Sequence, residues 1–433
     1  MKENFLGTNL KSAALRNAAI AVLWWIIFYP GFYSADSFAV LEMAKTGELN
    51  SLWSAPWAIL VQNLSFHGIY PGLVTLTMAL VLSLSVTLFF YSLLPPKNAT
   101  IVSCLLQVTP LVGAIGITLW HDIPFTSGLL LVATFVIRSN KLERFTLNES
   151  LKFLLPGMLL ISFRGNGLPT VLLFFIFVFF HDLKKPGKRL LLTGIIISLF
   201  ISIISNSFMS DSKSHDLDLG TGWIIYDISC YASTEKGQGF VERAIPGIGT
   251  TQTWSSSSAC NWFSDAQLTS EDISHARTHL ISALYKLISE DPIFLLMTHL
   301  KRHEYLVPLP ISGLPKPPFI HSTIEYPNSG IEWAFPSVAE KARFFVRAWN
   351  YGNFFFAYSG LWLVIIALAW FNSRRKDFLY VFVISIILSM SLFVVAGISD
   401  ARYVLFILIC GQGIGLNYMF SVFQTFCKKR SKI

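Results

Sequence analysis

Two carboxylates and two guanidiniums stand just beyond the ends of long apolar segments in this sequence. They are Asp36, Asp122, Arg164 and Arg402. A carboxylate at such a position can accept the proton of an attacking hydroxyl group. An arginine can bind a phosphate through its guanidinium fork and stabilise the charge that develops on it. The set is therefore typical of a reaction in which a hydroxyl attacks while an anionic group leaves.

Each of these residues also has a purely structural explanation. Asp36 could cap the helix that follows it, and Asp122 could begin a helix. Arg164 could be a solvated turn residue, and Arg402 could form an exposed ion pair with Asp400, which would contribute little. Ionisable groups at a membrane edge are nevertheless unfavourable unless they line a cavity or a site, so the four together favour a site.

Membrane helices must position these residues. Hydrophobic residue types make up 53% of the 433 residues and charged types only 13%, about half the charged share of a soluble globular protein. The sequence therefore predicts an all-α polytopic membrane protein with about ten transmembrane helices. We place the apolar segments near residues 17–34, 71–94, 100–119, 124–138, 150–163, 167–181, 190–207, 346–371, 378–397 and 402–423.

The distribution of Lys and Arg orients this bundle. Nearly all basic residues of the short loops fall on the side of the two termini, whereas Lys45, Arg164 and Arg402 fall on the other side. The positive-inside rule therefore predicts cytoplasmic termini and puts the four charged residues at the outer face. These topology determinants explain the formal charge of +8, and nothing in the sequence predicts a nucleic-acid partner.

A long polar segment divides the chain. Residues 208–345 are rich in Ser, Gly and Pro, and they predict a large extracytoplasmic domain that is mixed and partly helical. This domain separates an N-terminal transmembrane module, 1–207, from the C-terminal transmembrane helices, 346–433. Within it, the spacing of apolar residues predicts one helix from Ser270 and a second from Pro292 to Tyr305 with a basic end.

Two cysteines, Cys230 and Cys260, fall in this outer domain. An oxidising compartment would allow a disulfide between them, and two unpaired cysteines are the alternative. Because a free pair on an exposed loop would be reactive, the sequence favours the bridge.

The motifs around the four charged residues resemble those of the GT-C glycosyltransferases. Ser34–Ser37 resembles the acidic first outer loop of that family, in which an Asp is the usual catalytic base. Trp53–Trp57 resembles the WHPP stretch without its His and one Pro, and His121–Pro124 resembles the KD element with His in place of Lys. Arg164–Gly167 resembles an RxNG element, and Asp400–Tyr403 resembles the xRY start of a late helix.

The resemblance implies an inverting hexosyltransferase that takes a sugar from a polyprenyl-phosphate carrier and transfers it to an acceptor outside the cytoplasm. It implies that Asp36 activates the acceptor hydroxyl and that Asp122 supports the acceptor or the sugar, or helps to hold a metal. The residues that it assigns to the donor phosphate are Arg164, Arg402, His121, Arg302 and His303. Those that it assigns to substrate binding are Trp53, Trp57 and Asn166.

This interpretation requires no cofactor, because the donor is already activated by its phosphate link, and the need for a divalent metal stays open. The chain contains no Walker loop and no GxGxxG in a strand–turn–helix context. Its layout resembles that of bacterial inner-membrane enzymes that add glucose to the O-antigen of lipopolysaccharide in the cell envelope. Three rival hypotheses remain, namely a transporter or flippase for a lipid-linked saccharide, an O-antigen polymerase and a non-catalytic membrane scaffold.

Overall fold

The structure is a computed structural model in which helices enclose an apolar core. It describes residues 8–48, 54–141, 148, 150–164, 170–171, 189, 192–196, 200, 222–260, 265–268, 270–303, 306, 320–326, 329–352, 356–395 and 401–430. Within these ranges the chain forms helices and isolated β-bridges, with no longer strand. Most of the predicted segments 167–181 and 190–207 lies outside the described residues.

The N-terminal part of the chain builds much of the bundle. Its helices are α1 (Thr8–Ile27), α2 (Ala35–Thr46), α3 (Ala55–Leu64), α4 (Pro71–Leu93), α5 (Pro96–Val108), α6 (Gly113–Gly116), α7 (Asp122–Lys141) and α8 (Leu155–Ile161). Of these, α1, α4 and α7 are long and apolar enough to cross a membrane. The predicted segment 100–119 is not one helix, because α5 ends at Val108 ahead of Pro110 and the chain restarts as the short α6.

The segment predicted to form the outer domain is also helical where it is described. Its helices are α9 (Gly222–Ala232), α10 (Phe240–Ala244), α11 (Thr251–Trp254), α12 (Ser270–Glu290), α13 (Pro292–Arg302) and α14 (Pro336–Tyr351). One face of α12 buries Ala276, Leu280 and Leu287 in a core that also contains Ile228 of α9, as its helical spacing predicts. A disulfide joins Cys230 at the end of α9 to Cys260.

The C-terminal helices complete the bundle. They are α15 (Ser359–Ser373), α16 (Lys376–Val395) and α17 (Leu405–Arg430). The predicted helix 346–371 is wrong as a single span, since α14 ends at Tyr351 and α15 begins at Ser359. α14 is amphipathic and keeps Glu340 exposed, so it is not an apolar membrane span. It also crosses the predicted domain boundary at 345.

Several helices are long and apolar enough to make this a multi-pass membrane protein. The described residues contain five such helices and two shorter apolar ones, Ser150–Ile161 and Ser359–Ser373. The prediction of about ten spans is therefore confirmed only as a multi-pass bundle. α4 contains no charged residue, and α7 and α16 carry their charges only in the first or last turn. α1 carries Lys11 and Arg16 in its first half.

A basic cluster lies at the far end of α7 from Asp122. Lys141 in the last turn of α7 lies 3.2 Å from the Asp377 carboxylate at the start of α16, and Arg375 lies 2.8 Å from it. Lys141 also donates to the carbonyl oxygen of Ser92 near the end of α4. Because a 20-residue helix is about 30 Å long, Asp122 and this basic cluster occupy opposite ends of the bundle.

A close glycine contact sets the position of α8 against α7. A β-carbon at Gly128 of α7 would lie 2.5 Å from the carbonyl oxygen of Gly157 in α8, closer than packed atoms allow. Small residues at such a crossing let the two backbones approach directly. The contact matters for the site because the chain leaves α8 for Arg164, whose backbone N–H donates to the carbonyl oxygen of Ile161.

Gly128→Ala is therefore expected to destabilise the bundle by about 1–3 kcal/mol, the usual effect of overpacking. The measurement is the midpoint of thermal unfolding in detergent. Gly415→Ala is the matched control, because its β-carbon would meet the Trp362 ring at 3.4 Å, an ordinary contact. Equal unfolding midpoints for the two variants would contradict this account of the α7–α8 contact.

Candidate active site

Backbone pairing brings the segment before α2 against the segment before α7. The Phe32 N–H donates to the Ile117 carbonyl oxygen, and the Leu119 N–H donates to the Phe32 carbonyl oxygen. The Ser37 hydroxyl donates to the Leu119 carbonyl oxygen at 3.0 Å. These contacts fix the first turn of α2, which carries Asp36, beside the start of α7, which carries Asp122.

Asp122 is the buried centre of the cluster. Its carboxylate has no exposed surface, and its Oδ1 lies 2.6 Å from Nη1 of Arg164. Its Oδ2 lies 3.7 Å from Nε of Arg402. A buried carboxylate needs a partner of opposite charge, and Asp122 has two, which rules out the idea that it serves only to begin a helix.

Arg402 connects the two carboxylates. Its Nη1 donates to Oδ2 of Asp36 at 2.6 Å while its Nε faces Asp122. Asp36 is therefore more than a helix cap, because Ser34 holds the N-cap position of α2 and the Asp36 side chain turns to the arginine. The alternative partner of Arg402, Asp400, lies outside the described residues.

Aromatic rings hold both guanidiniums in place. The Arg402 guanidinium carbon lies 4.8 Å from the Trp120 ring centre, and that of Arg164 lies 4.1 Å from the Tyr403 ring centre. The Trp120 indole N–H donates to the Ser34 hydroxyl at 2.8 Å, which fixes this ring. Guanidiniums stack well on aromatic faces, so the two cations have little freedom to turn away from the carboxylates.

Exposure differs between the two carboxylates. The Asp36 side chain is 34% exposed and the Asp122 side chain is fully buried. Asp36 also uses only Oδ2 in its described ion pair, so its Oδ1 faces no described partner. Of these two carboxylates, an external molecule can therefore reach that of Asp36 and not that of Asp122.

His121 lies at the edge of the same cluster, 3.9 Å from the Asp122 carboxylate. Burial, helped by the charges of Arg164 and Arg402, lowers the pKa of His121 to about 4, although Asp122 acts in the opposite direction. The imidazole is therefore neutral at pH 7. It can offer a hydrogen bond to an incoming phosphate but no positive charge.

Comparison with known proteins finds similarity only among solved structures. No family model matches this sequence, and no curated protein matches it. A structure of the Archaeoglobus fulgidus oligosaccharyltransferase AglB with an inhibitory peptide and a dolichol-phosphate shares 13% identity, covering 99% of this chain and 52% of that chain, with a TM-score of 0.46. The apo form of the same enzyme shares 14% identity over 100% of this chain and 52% of that chain, with a TM-score of 0.45.

A third structure of the archaeal enzyme, in complex with Zn and sulfate, shares 12% identity over 97% of this chain and 49% of that chain, with a TM-score of 0.44. This chain therefore spans about half the length of the structures that it matches. At this level of similarity the matches do not decide the function of this chain.

Glu325, an acidic residue beside Asp36, was not predicted from the sequence as part of the site. Glu325 accepts a hydrogen bond from the Ala35 N–H at 2.6 Å, directly at the start of α2. Its segment is held by the Tyr33 N–H, which donates to the Thr323 carbonyl oxygen at 3.0 Å. His321 of the same segment lies 3.5 Å from Glu325 and packs on the Trp120 ring. No local pattern marks this loop, since only the tertiary pairing brings it to the site.

The other predicted site residues that the structure describes have partners outside this cluster. Trp57 has no exposed surface and packs against Phe163, and its role in substrate binding stays a prediction. Arg302 and His303 are buried in the outer domain, where Arg302 pairs with Asp227. Trp53 and Asn166, the remaining predicted substrate residues, lie outside the described residues.

Trp57 nevertheless helps to build the site. It lies in the first turn of α3, and the hydroxyl of Ser54, just before that helix, donates to the Phe163 carbonyl oxygen. The start of α3 is thereby tied to the residue next to Arg164. In the part of the chain that is described, no group of three or more His, Cys, Asp and Glu is arranged to hold a metal.

Proposed function

We propose that this chain is an integral-membrane inverting glycosyltransferase of the GT-C type. In this proposal it moves a sugar from a polyprenyl-phosphate donor to an extracytoplasmic glycan or lipid-linked acceptor. The observation that carries the proposal is the meeting of Asp36, Asp122, Arg164 and Arg402 at one end of the helix bundle. These residues come from four separate segments, so their meeting is a property of the fold rather than of any local motif.

The geometry suits each group to one part of the reaction. The acceptor hydroxyl attacks the anomeric carbon of the sugar, and its proton passes to the exposed carboxylate of Asp36. The bond between the anomeric carbon and the phosphate oxygen breaks on the opposite face, and the polyprenyl phosphate leaves with the electron pair. Arg164 and Arg402 stabilise the charge that builds up on this phosphate.

Asp122 has a supporting role in this proposal. It is fully buried between the guanidiniums of Arg164 and Arg402. Two arginines so close together repel each other, and a carboxylate between them offsets that repulsion. Asp122 therefore holds the phosphate-binding pair in a fixed arrangement, which is the condition for stabilising charge without reorganisation.

The charge distribution favours an enzyme over a transporter. A transporter for a charged lipid-linked saccharide is expected to carry ionisable groups or broken helices near the membrane centre. α4 carries no charged residue, and the charges of α7 and α16 stay in the terminal turns, although Arg16 of α1 and the break between α5 and α6 fall within apolar segments. A polymerase would depend on arginine and not on Asp36, so the Asp36 variant separates these two functions.

Orientation enters the proposal through the basic cluster at the opposite end of the bundle. Lys141, Arg375 and Asp377 gather there, as the positive-inside rule expects of a cytoplasmic end. The site then faces the periplasm of a bacterial inner membrane, where a polyprenyl-phosphate sugar is an available donor and nucleotide sugars are not. Modification of O-antigen is one process that would use such a site.

The test is mass spectrometry of surface and lipid-linked glycans from host cells with and without this gene. We expect cells lacking the protein to lose one defined sugar increment from a surface glycan and to regain it when the wild-type gene is restored. Identical glycan masses in the two strains, with the protein present in the membrane of the first, would reject the proposed function.

A further inference from the structure

Three different faces run along α14. Ala339 and Val346, seven residues apart, are fully buried in the core of the bundle. Glu340 lies on a second, charged face, where it forms ion pairs with Arg343 at 3.2 Å and with Arg347 at 3.4 Å. The packed face and the charged face together leave part of the helix circumference for a third face.

The third face is apolar and exposed. Phe344 and Tyr351, seven residues apart, expose 73% and 92% of their surface, and Val338 and Phe345, also seven apart, are about half exposed. Residues seven apart lie above one another on a helix, so the four side chains form two neighbouring stripes. We call them the free face of α14. A contiguous apolar surface of this kind is unfavourable in water and indicates a contact with a partner or a membrane.

Contacts with α1 place the free face at the level of the membrane. The Ala334 N–H, just before α14, donates to the carbonyl oxygen of Tyr29, just beyond the end of α1. The Phe345 ring lies 6.3 Å from the ring of Trp24 in the last turn of α1. Leu23, the neighbour of Trp24, is 56% exposed on this helix, which is long and apolar enough to cross a membrane. Lipid therefore surrounds α1 at the level where Phe345 meets it.

α14 runs obliquely to α1. From Ala334 to Phe345 the chain advances by eleven residues, a rise of about 16 Å in a helix. Over the same stretch the contacted position on α1 moves only from Tyr29 to Trp24, a rise of about 8 Å. An oblique course at the end of a membrane helix is typical of a helix that lies in the interface between lipid and water.

Basic side chains accompany the free face. Lys341 is exposed between its two stripes, and Arg347 is exposed at the edge of the charged face. The long stems of Lys and Arg cover apolar surface while their charged ends reach the water layer, where the phosphate groups of lipids lie. Phe on one face together with Lys and Arg beside it is the composition of interfacial helices.

We propose that α14 is an interfacial helix whose free face inserts into the phospholipid leaflet on the side of the candidate site. Lys341 and Arg347 contact the lipid phosphates. Phospholipid is the occupant because the free face continues the lipid-facing surface of α1 at Leu23 and Phe345. A second copy of the chain or another protein would have to displace lipid from that same surface.

Insertion of α14 also fixes a segment of the candidate site. The Ile320 N–H donates to Oδ1 of Asn350 at 2.9 Å, and Nδ2 of Asn350 donates to the Ile320 carbonyl oxygen at 3.1 Å. The segment that begins at Ile320 carries Glu325, which binds the start of α2 beside Asp36. The depth of α14 in the leaflet therefore sets the height of this segment. Any effect on sugar transfer rests on the proposed function, whereas the insertion itself does not.

The test measures the depth of spin labels in liposomes of phosphatidylethanolamine and phosphatidylglycerol. Relaxation by oxygen, which concentrates in lipid, is compared with relaxation by a nickel chelate, which stays in water. Phe344→Cys labels the free face and Glu340→Cys labels the charged face, in a background with Cys104→Ala and Cys427→Ser. We expect the first label to lie roughly 5–10 Å below the phosphates and the second to lie in water.

Two further labels calibrate the measurement. Leu23→Cys on α1 supplies the lipid value, and His279→Cys, at an exposed position of α12, supplies the water value. A label at Tyr351→Cys then reports the effect of a charge on the free face. We expect Phe344→Asp to move this label by about 5 Å towards water, whereas Glu340→Gln, on the charged face, should leave it in place.

Two results at Phe344→Cys would overturn the proposal without any variant that might fail to fold. Relaxation by the nickel chelate equal to that at His279→Cys would show the free face in water. Shielding from both oxygen and the chelate would show it covered by protein. These outcomes are read without a transfer assay, so failure of the proposed function leaves them unchanged.

Discussion

Asp36→Asn is expected to lower the rate of sugar transfer by about 100-fold to 10,000-fold, the range that a general base contributes. The substitution keeps the shape of the side chain and removes its ability to take the acceptor proton. Asp36 is the accessible carboxylate of the cluster, with 34% of its side chain exposed. Because it lies at the surface of the bundle, we expect thermal stability to fall by less than about 1 kcal/mol.

Glu42→Gln is the matched control for this variant. Glu42 lies two turns further along α2 and is exposed, so its replacement removes the same charge from the same helix without touching the cluster. We expect transfer at the wild-type rate. If Asp36→Asn retained full activity in membranes, Asp36 would not be the base and the polymerase hypothesis would gain ground.

Asp122→Asn is expected to have the larger effect on stability, about 3–5 kcal/mol, together with loss of transfer. The reason is that Arg164 and Arg402 would remain buried or nearly so without the carboxylate between them. Removing one partner from a buried ion pair leaves an uncompensated charge, which is strongly destabilising. The measurement is the denaturation midpoint in detergent, followed by the transfer rate of the folded fraction.

Asp377→Asn at the opposite end of the bundle is the matched control. Asp377 is also buried, but its partners Lys141 and Arg375 are 46% and 43% exposed and can be solvated by water when the carboxylate is lost. We expect a smaller loss of stability and unchanged transfer. If Asp122→Asn proved no less stable than Asp377→Asn, the claim that Asp122 compensates the buried charges of Arg164 and Arg402 would be wrong.

The four charged residues that the sequence singled out meet in the structure, whereas several predicted helix bounds differ from it. Asp36 and Arg402 are 366 residues apart, yet both could be placed at the outer ends of apolar segments. Helix ends at one face of a membrane lie within a narrow layer. Charged residues predicted in that layer are therefore expected to lie close to one another. The pairing within the layer was not predictable, because it depends on how the helices pack.

Residues that depend on tertiary packing were the ones missed. Glu325 lies in a loop whose sequence does not indicate where the loop packs. Backbone hydrogen bonds between this loop and Tyr33 bring Glu325 to the start of α2. The burial of Trp57, which the sequence predicts as a substrate-binding residue, was not predictable, because an aromatic residue at a membrane interface and one in a core have the same appearance in sequence. The division between α14 and α15 was missed because their apolar residues run on across the break.

The most direct test of the account is a reconstituted transfer reaction. Purified protein in liposomes is supplied with a polyprenyl-phosphate sugar, or with the corresponding nucleotide sugar, and with acceptor glycan from cells that lack the gene. We predict that wild-type protein transfers sugar only from the lipid donor, releasing one polyprenyl phosphate per sugar, and that Asp36→Asn releases almost none. Transfer from the nucleotide sugar, or wild-type rates with Asp36→Asn, would contradict the claim that these four residues form the site of transfer.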